Sequence, residues 1–87
     1  MIEVQRIGES GFRVVVEEGG SRTEHTVTVR EDYYQKLTGG SITPEELVRK
    51  SFEFLLERER KESILSSFDL PVIQRYFRDY ERMIRNR

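Results

Sequence analysis

Hydrophobic and polar residues alternate along three short stretches within the first thirty positions. The apolar members are Ile2 and Val4, then Phe12, Val14 and Val16, then Val27 and Val29. A period of two is typical of β-strands that bury one face. Glycine-rich segments at Gly8–Gly11 and Gly19–Ser21 separate the stretches and favour turns. The pattern therefore predicts an antiparallel meander of three strands over residues 1–30.

From residue 31 the apolar period becomes helical. Glu31–Leu37 is expected to form a short helix, because acidic residues open it and Gly39 follows its last turn. A longer helix is predicted after Thr43, which can form a capping box with Glu46, and Pro44 suits its first position. The main apolar face of this helix consists of Val48, Ser51, Phe52, Leu55 and Leu56.

The segment 57–63 is entirely polar, and Glu59 and Glu62 fall where the apolar face of the long helix would continue. Either the helix extends through this segment into water, or it ends there and the chain turns. We favour the extension, with the turn of the chain near Ser66–Phe68. Asp69 is then the expected N-cap of a last helix, with Pro71 in its first turn. One continuous apolar stripe runs along this helix, formed by Ile73, Tyr76, Phe77, Tyr80, Met83 and Ile84.

These elements predict an α+β fold in a single small domain, residues 1–87. A three-stranded antiparallel β-meander over residues 1–30 is followed by a helical half over residues 31–87. The helical half contains a short helix, a long capped helix and a C-terminal amphipathic helix. We expect the helices to cover one face of the sheet, because that face is apolar.

Composition narrows the function classes. The chain has 15 basic and 16 acidic residues, a formal net charge of −1, which argues against a dedicated nucleic-acid module. It has no cysteine, which excludes disulfides and thiolate metal ligands. No apolar run approaches the length of a membrane span, and no signal-peptide core opens the sequence. We expect a cytoplasmic protein that does not bind a membrane.

The sequence offers no residue constellation for catalysis, cofactor binding or metal binding. His25 is the only histidine, and we expect it to be a boundary residue with a satisfied hydrogen bond. The glycine pairs match no phosphate-binding motif. An enzyme that uses His25 with a carboxylate is the weakest hypothesis, and we predict a non-catalytic protein without a cofactor.

Surplus apolar surface on the helices indicates protein–protein contact. Leu47 and Phe54 lie to one side of the main face of the long helix. That helix therefore needs two neighbours within the chain or a second chain. We expect a protein-interaction module that self-associates as a homodimer. The predicted contact residues are Leu47, Phe54, Tyr76, Phe77, Tyr80 and Met83.

A row of arginines supports an alternative function. Residues 71–87 contain five arginines against Asp79 and Glu81, a net charge of +3. On a continuous helix, four of the arginines lie opposite the apolar stripe, where they can contact nucleic-acid phosphates or an acidic partner protein. The other interpretation is that they only solvate the helix. The four are Arg75, Arg78, Arg82 and Arg85.

Two stretches resemble known classes of protein. Ile64–Tyr80, with Ser51–Glu59 before it, resembles short microbial proteins with no assigned function. The strands followed by Thr43–Leu47, with the residues Thr-Pro-Glu-Glu-Leu, resemble the HicB-type antitoxins, in which a strand meander precedes such a helix start. This chain lacks their Gly-Cys loop and carries residues 31–42 instead. The second resemblance implies an antitoxin-like module that neutralises a partner toxin.

Overall fold

The first three strands form an antiparallel meander in a computed structural model that describes residues 1–87. They are β1 (Ile2–Arg6), β2 (Gly11–Glu18) and β3 (Ser21–Thr28). The register places Val14 opposite Val4 on one side and opposite His25 on the other. Gly19 and Gly20 connect β2 to β3 with φ angles of 61° and 79°, which a two-residue type I′ turn requires. The predicted meander is confirmed.

A fourth strand, β4 (Ser67–Asp69), pairs in parallel with β3 and makes the sheet mixed, in the order β1-β2-β3-β4. The Thr26 N–H donates to the Ser66 carbonyl at 2.8 Å, just before β4 begins. The predicted turn near Ser66–Phe68 and the predicted cap at Asp69 are wrong, because Ser67, Phe68 and Asp69 form the strand. A three-residue strand is too short to show a period of two, and its neighbour β3 holds it in place.

Two helices follow β3. They are α1 (Glu31–Thr38) and α2 (Pro44–Leu56). The predicted capping box opens α2, since the Glu46 N–H donates to Thr43 Oγ1 at 3.1 Å and the Thr43 N–H donates to Glu46 Oε1 at 3.2 Å.

Although α2 is the longest helix, with 13 residues, neither it nor any other helix has the length and apolar character needed to cross a membrane.

The polar segment 57–63 is not the helical extension that we expected. The N–H groups of Arg58 and Glu59 both donate to the Leu55 carbonyl and close the last turn of α2. One 3-10 turn follows at Lys61–Ser63. A longer α2 would have exposed polar side chains on every side and gained no packing, and packing supplies most of the stability of a helix.

The predicted C-terminal helix is broken in two. The two parts are α3 (Val72–Tyr76) and α4 (Tyr80–Arg85). Phe77 lies between them with extended backbone angles, φ −131° and ψ 95°. The Gln74 side chain spans the break, because its amide donates to the Arg78 carbonyl at 2.7 Å and its oxygen accepts from the Glu81 N–H at 2.9 Å. The break turns the Phe77 ring onto Phe54, so the continuous stripe is wrong.

One hydrophobic core joins the two halves of the chain. The inward side chains of β2, Phe12, Val14 and Val16, are fully buried. On the opposite face Arg13 and Glu17 are exposed, while Val15 between them is buried. The helices therefore cover one face of the sheet and leave the other face open. The fold is α+β, with a four-stranded mixed sheet and four α-helices.

A buried hydrogen bond connects α2 to α4. Ser51 and Tyr80 are fully buried, and their hydroxyl oxygens lie 2.7 Å apart. Ser51 Oγ donates its single proton to the Leu47 carbonyl at 2.7 Å. The Tyr80 hydroxyl therefore donates to Ser51, which is the acceptor that Tyr80 needs in the core.

We expect Ser51→Ala to lower the free energy of unfolding by about 1–3 kcal/mol, since it leaves the buried Tyr80 hydroxyl without a partner. Adding Tyr80→Phe should recover part of this loss, because it removes the orphaned hydroxyl. Urea unfolding of both single variants and of the double variant measures the two effects. If the loss in the double variant equals the sum of the single losses, the two hydroxyls do not interact.

Candidate functional site

An apolar groove with a volume of about 310 Å³ opens between the C-terminal end of α2, the segment 59–65, β4 and α3. Leu55, Ile64 and Ile73 are its buried part, while Leu65 and Tyr76 are 47% and 69% exposed. The remaining lining residues are Glu59, Ser63, Phe68, Val72 and Phe77. A buried apolar surface next to exposed apolar side chains is suited to accepting an apolar side chain from a partner. These ten residues are called the groove below.

The other depressions of the surface are mostly polar. One of about 370 Å³ beside the open sheet face includes Arg13 and Arg49 and has two hydrophobic residues among its seven. Another of about 370 Å³, between α1 and α3, includes Lys36 and Arg75 and has two hydrophobic residues among its nine. The groove, with eight hydrophobic residues among ten, is therefore the candidate functional site.

His25 fixes the segment that leads into β4. Its Nδ1 donates to the Leu65 carbonyl at 2.8 Å, and its Nε2 accepts from the Thr23 hydroxyl at 2.8 Å. The ring packs against Phe52 with the centroids 5.3 Å apart. Both ring nitrogens are satisfied as predicted, although His25 is buried rather than at the boundary. This anchor holds the Leu65 backbone against β3, next to the groove.

Glu59 is the charged residue of the groove. It is partly buried, and none of the ion pairs of the chain includes it. Burial raises the pKa of the Glu59 carboxyl above its usual range. The adjacent Arg58 is engaged elsewhere, since it pairs with Glu57 and Asp79, each at 3.2 Å. The groove therefore contains one uncompensated carboxylate.

Three of the six predicted contact residues lie inside the protein. Leu47, Phe54 and Tyr80 are fully buried. The Phe54 ring packs edge-on against Phe77 and Tyr80, with centroids 5.9 and 5.3 Å apart, and the Arg58 guanidinium covers it at 3.7 Å. The C-terminal segment covers this side of α2, so the helix has both of its neighbours within the chain, which is one of the two alternatives that the sequence left open. These three residues are therefore not available for contact.

The other three predicted contact residues keep some exposure. Tyr76 and Phe77 line the groove, whereas Met83 is partly buried against the core outside it. The sequence did not identify Leu65 as a contact residue, because a turn was expected near it and the side chains of a turn show no periodicity. A signal for Glu59 was present, since it falls where the apolar face of the long helix would have continued in the sequence.

The four arginines of the predicted row are all exposed, and none forms an ion pair. Arg75 lies in α3, Arg78 lies in the break, and Arg82 and Arg85 lie in α4. Because the helix is interrupted at Phe77, the prediction of one row along one helix is wrong. The arginines are separate cationic groups distributed over the C-terminal segment.

No protein-family model, curated protein or solved structure matches this chain. The resemblances to HicB-type antitoxins and to short microbial proteins therefore stay predictions. No group of three or more metal-ligating side chains lies together in the structure. The function has to be argued from the groove and from the charges around it.

The raised pKa of Glu59 has a consequence for stability. The native state holds a proton on this carboxyl up to a higher pH than the unfolded chain does. At neutral pH the ionised carboxylate therefore lowers the free energy of unfolding, and this penalty disappears as the pH falls through the raised pKa to the ordinary glutamate value.

We expect Glu59→Gln to be more stable than the wild type at neutral pH, with a difference that shrinks in mild acid. Urea unfolding of dilute protein at a series of pH values measures it. The control is Glu53→Gln, an exposed glutamate of α2 that lies outside the groove, which should show a smaller difference. A Glu59→Gln variant less stable than the wild type at neutral pH would mean that the carboxylate stabilises the native state.

Proposed function

We propose that this chain is a non-catalytic protein-interaction module that self-associates through the groove. The observation that carries the proposal is that the exposed side chains of Leu65 and Tyr76 both line the groove. They are two of the four large hydrophobic residues exposed on the protein. Scattered apolar side chains are ordinary on a protein surface, whereas a contiguous apolar site with a buried base is typical of an interface.

Burial of this surface supplies the driving force for association. Apolar area removed from water contributes about 25 cal/mol per Å², and a chain of 87 residues has a small core to which an interface adds stability. In a twofold dimer the same surface is used by both copies. Tyr76 of each copy would then enter the groove of the other.

The chemistry of the groove supports an interaction role over a catalytic one. Its polar residues are Glu59 and Ser63, without a histidine to activate the serine hydroxyl. His25 lies nearby, but both of its nitrogens are engaged in structural hydrogen bonds. The alternative function, nucleic-acid binding, depended on a continuous row of arginines along one helix. Because α3 and α4 are separate helices, we do not propose it.

We expect light scattering on a sizing column to give about twice the chain mass of 10.4 kDa for the wild type. Leu65→Ser and Tyr76→Ser should each weaken the dimer by at least about tenfold, because each removes a large apolar side chain from the interface.

Ile7→Ser is the matched control for Leu65→Ser. Ile7 is 52% exposed, close to the value for Leu65, but it lies in the β1–β2 turn outside the groove. It should leave the mass unchanged. The proposal is wrong if the wild type is monomeric at every concentration, or if Ile7→Ser dissociates the dimer as strongly as Leu65→Ser does.

A further inference from the structure

The unpaired carboxylate of Glu59 limits which partners can bind in the groove. Glu59 is the charged residue among the ten that line it, and no lysine, arginine or histidine nitrogen lies within 4 Å of its oxygens. An apolar partner would remove this carboxylate from water without giving it a counterion, which is unfavourable. An occupant that brings a cation avoids that cost.

The chain itself carries exposed cations next to groove residues in the sequence. Arg75 and Arg78 flank Tyr76 and Phe77 in the sequence, and neither forms an ion pair. Arg75 lines the cavity between α1 and α3, where Asp69 is also present. Both arginines adjoin a groove residue, but Arg78 does not line that cavity. Arg78 is therefore the better candidate to reach a groove in another molecule.

We propose that a second copy of this chain closes the groove with twofold symmetry, and that Arg78 of each copy pairs with Glu59 of the other. This inference rests on the proposed function of self-association and adds the charge pair that selects the partner. Charge complementarity favours a second copy as the occupant, because the chain supplies the apolar site, the free carboxylate and, one residue after Phe77, an exposed guanidinium without an ion pair. In a twofold contact the pair forms twice, which doubles its effect on association.

Complementary charge reversals test the pair. Glu59→Arg places two cations together in its own dimer, and Arg78→Glu places two carboxylates together. Each variant should therefore dimerise at least about tenfold more weakly than the wild type in sedimentation equilibrium. An equimolar mixture of the two variants should form a heterodimer, because both pairs then join opposite charges. Arg82→Glu, an exposed and unpaired arginine on α4, is the matched control and should behave as the wild type.

If Glu59→Arg fails to fold, a neutral double-mutant cycle replaces it. Arg78→Gln should weaken the dimer of the wild type and have little effect in the Glu59→Gln background. A wild-type dimer with variants that dimerise equally well, or a mixture that stays monomeric, overturns the pair and leaves self-association standing. A wild type that is monomeric at all concentrations overturns both proposals and makes a different protein the candidate occupant.

Discussion

The structure depends on covering two apolar sides of α2 at once. Phe52 on one side packs against His25 and Phe68 of the sheet. Phe54 on the other side needs a separate cover, which the chain beyond residue 70 supplies with Phe77 and Tyr80. The break between α3 and α4 follows from this need, since the extended Phe77 lets both rings reach Phe54. At the groove, the apolar side chains around the C-terminal end of α2 are only partly covered by the rest of the chain.

Elements with local determinants were predictable from the sequence. The Thr43 capping box and the Gly19–Gly20 turn act within four residues, so their residue types are sufficient to identify them. The position of β4 depends instead on hydrogen bonds to Thr26 and Thr28, about forty residues earlier in the chain. The break in the last helix depends on Gln74 and on Phe54. A helical period at residues 71–87 cannot show that a tertiary contact interrupts it.

The candidate site was predictable only in part, because it too depends on contacts between residues that are distant in the sequence. The sequence showed that the helices carry more apolar surface than one neighbour can cover, and this is correct. Of the six residues to which it assigned the excess, the chain itself fully buries Leu47, Phe54 and Tyr80. The position of segment 59–70 decides which apolar residues stay exposed. His25 fixes this position through its hydrogen bond to the Leu65 carbonyl. Tyr76 and Phe77 are the predicted residues that reach the groove.

A concentration series of amide NMR spectra tests most directly whether the groove is the contact surface. With rising concentration we expect the signals of Leu65, Phe68 and Tyr76 to shift together along one binding curve. Those of Arg13 and Glu24 on the open sheet face should stay fixed. Shifts confined to the open sheet face, or groove signals that stay fixed while the measured mass changes from monomer to dimer, would contradict self-association through the groove.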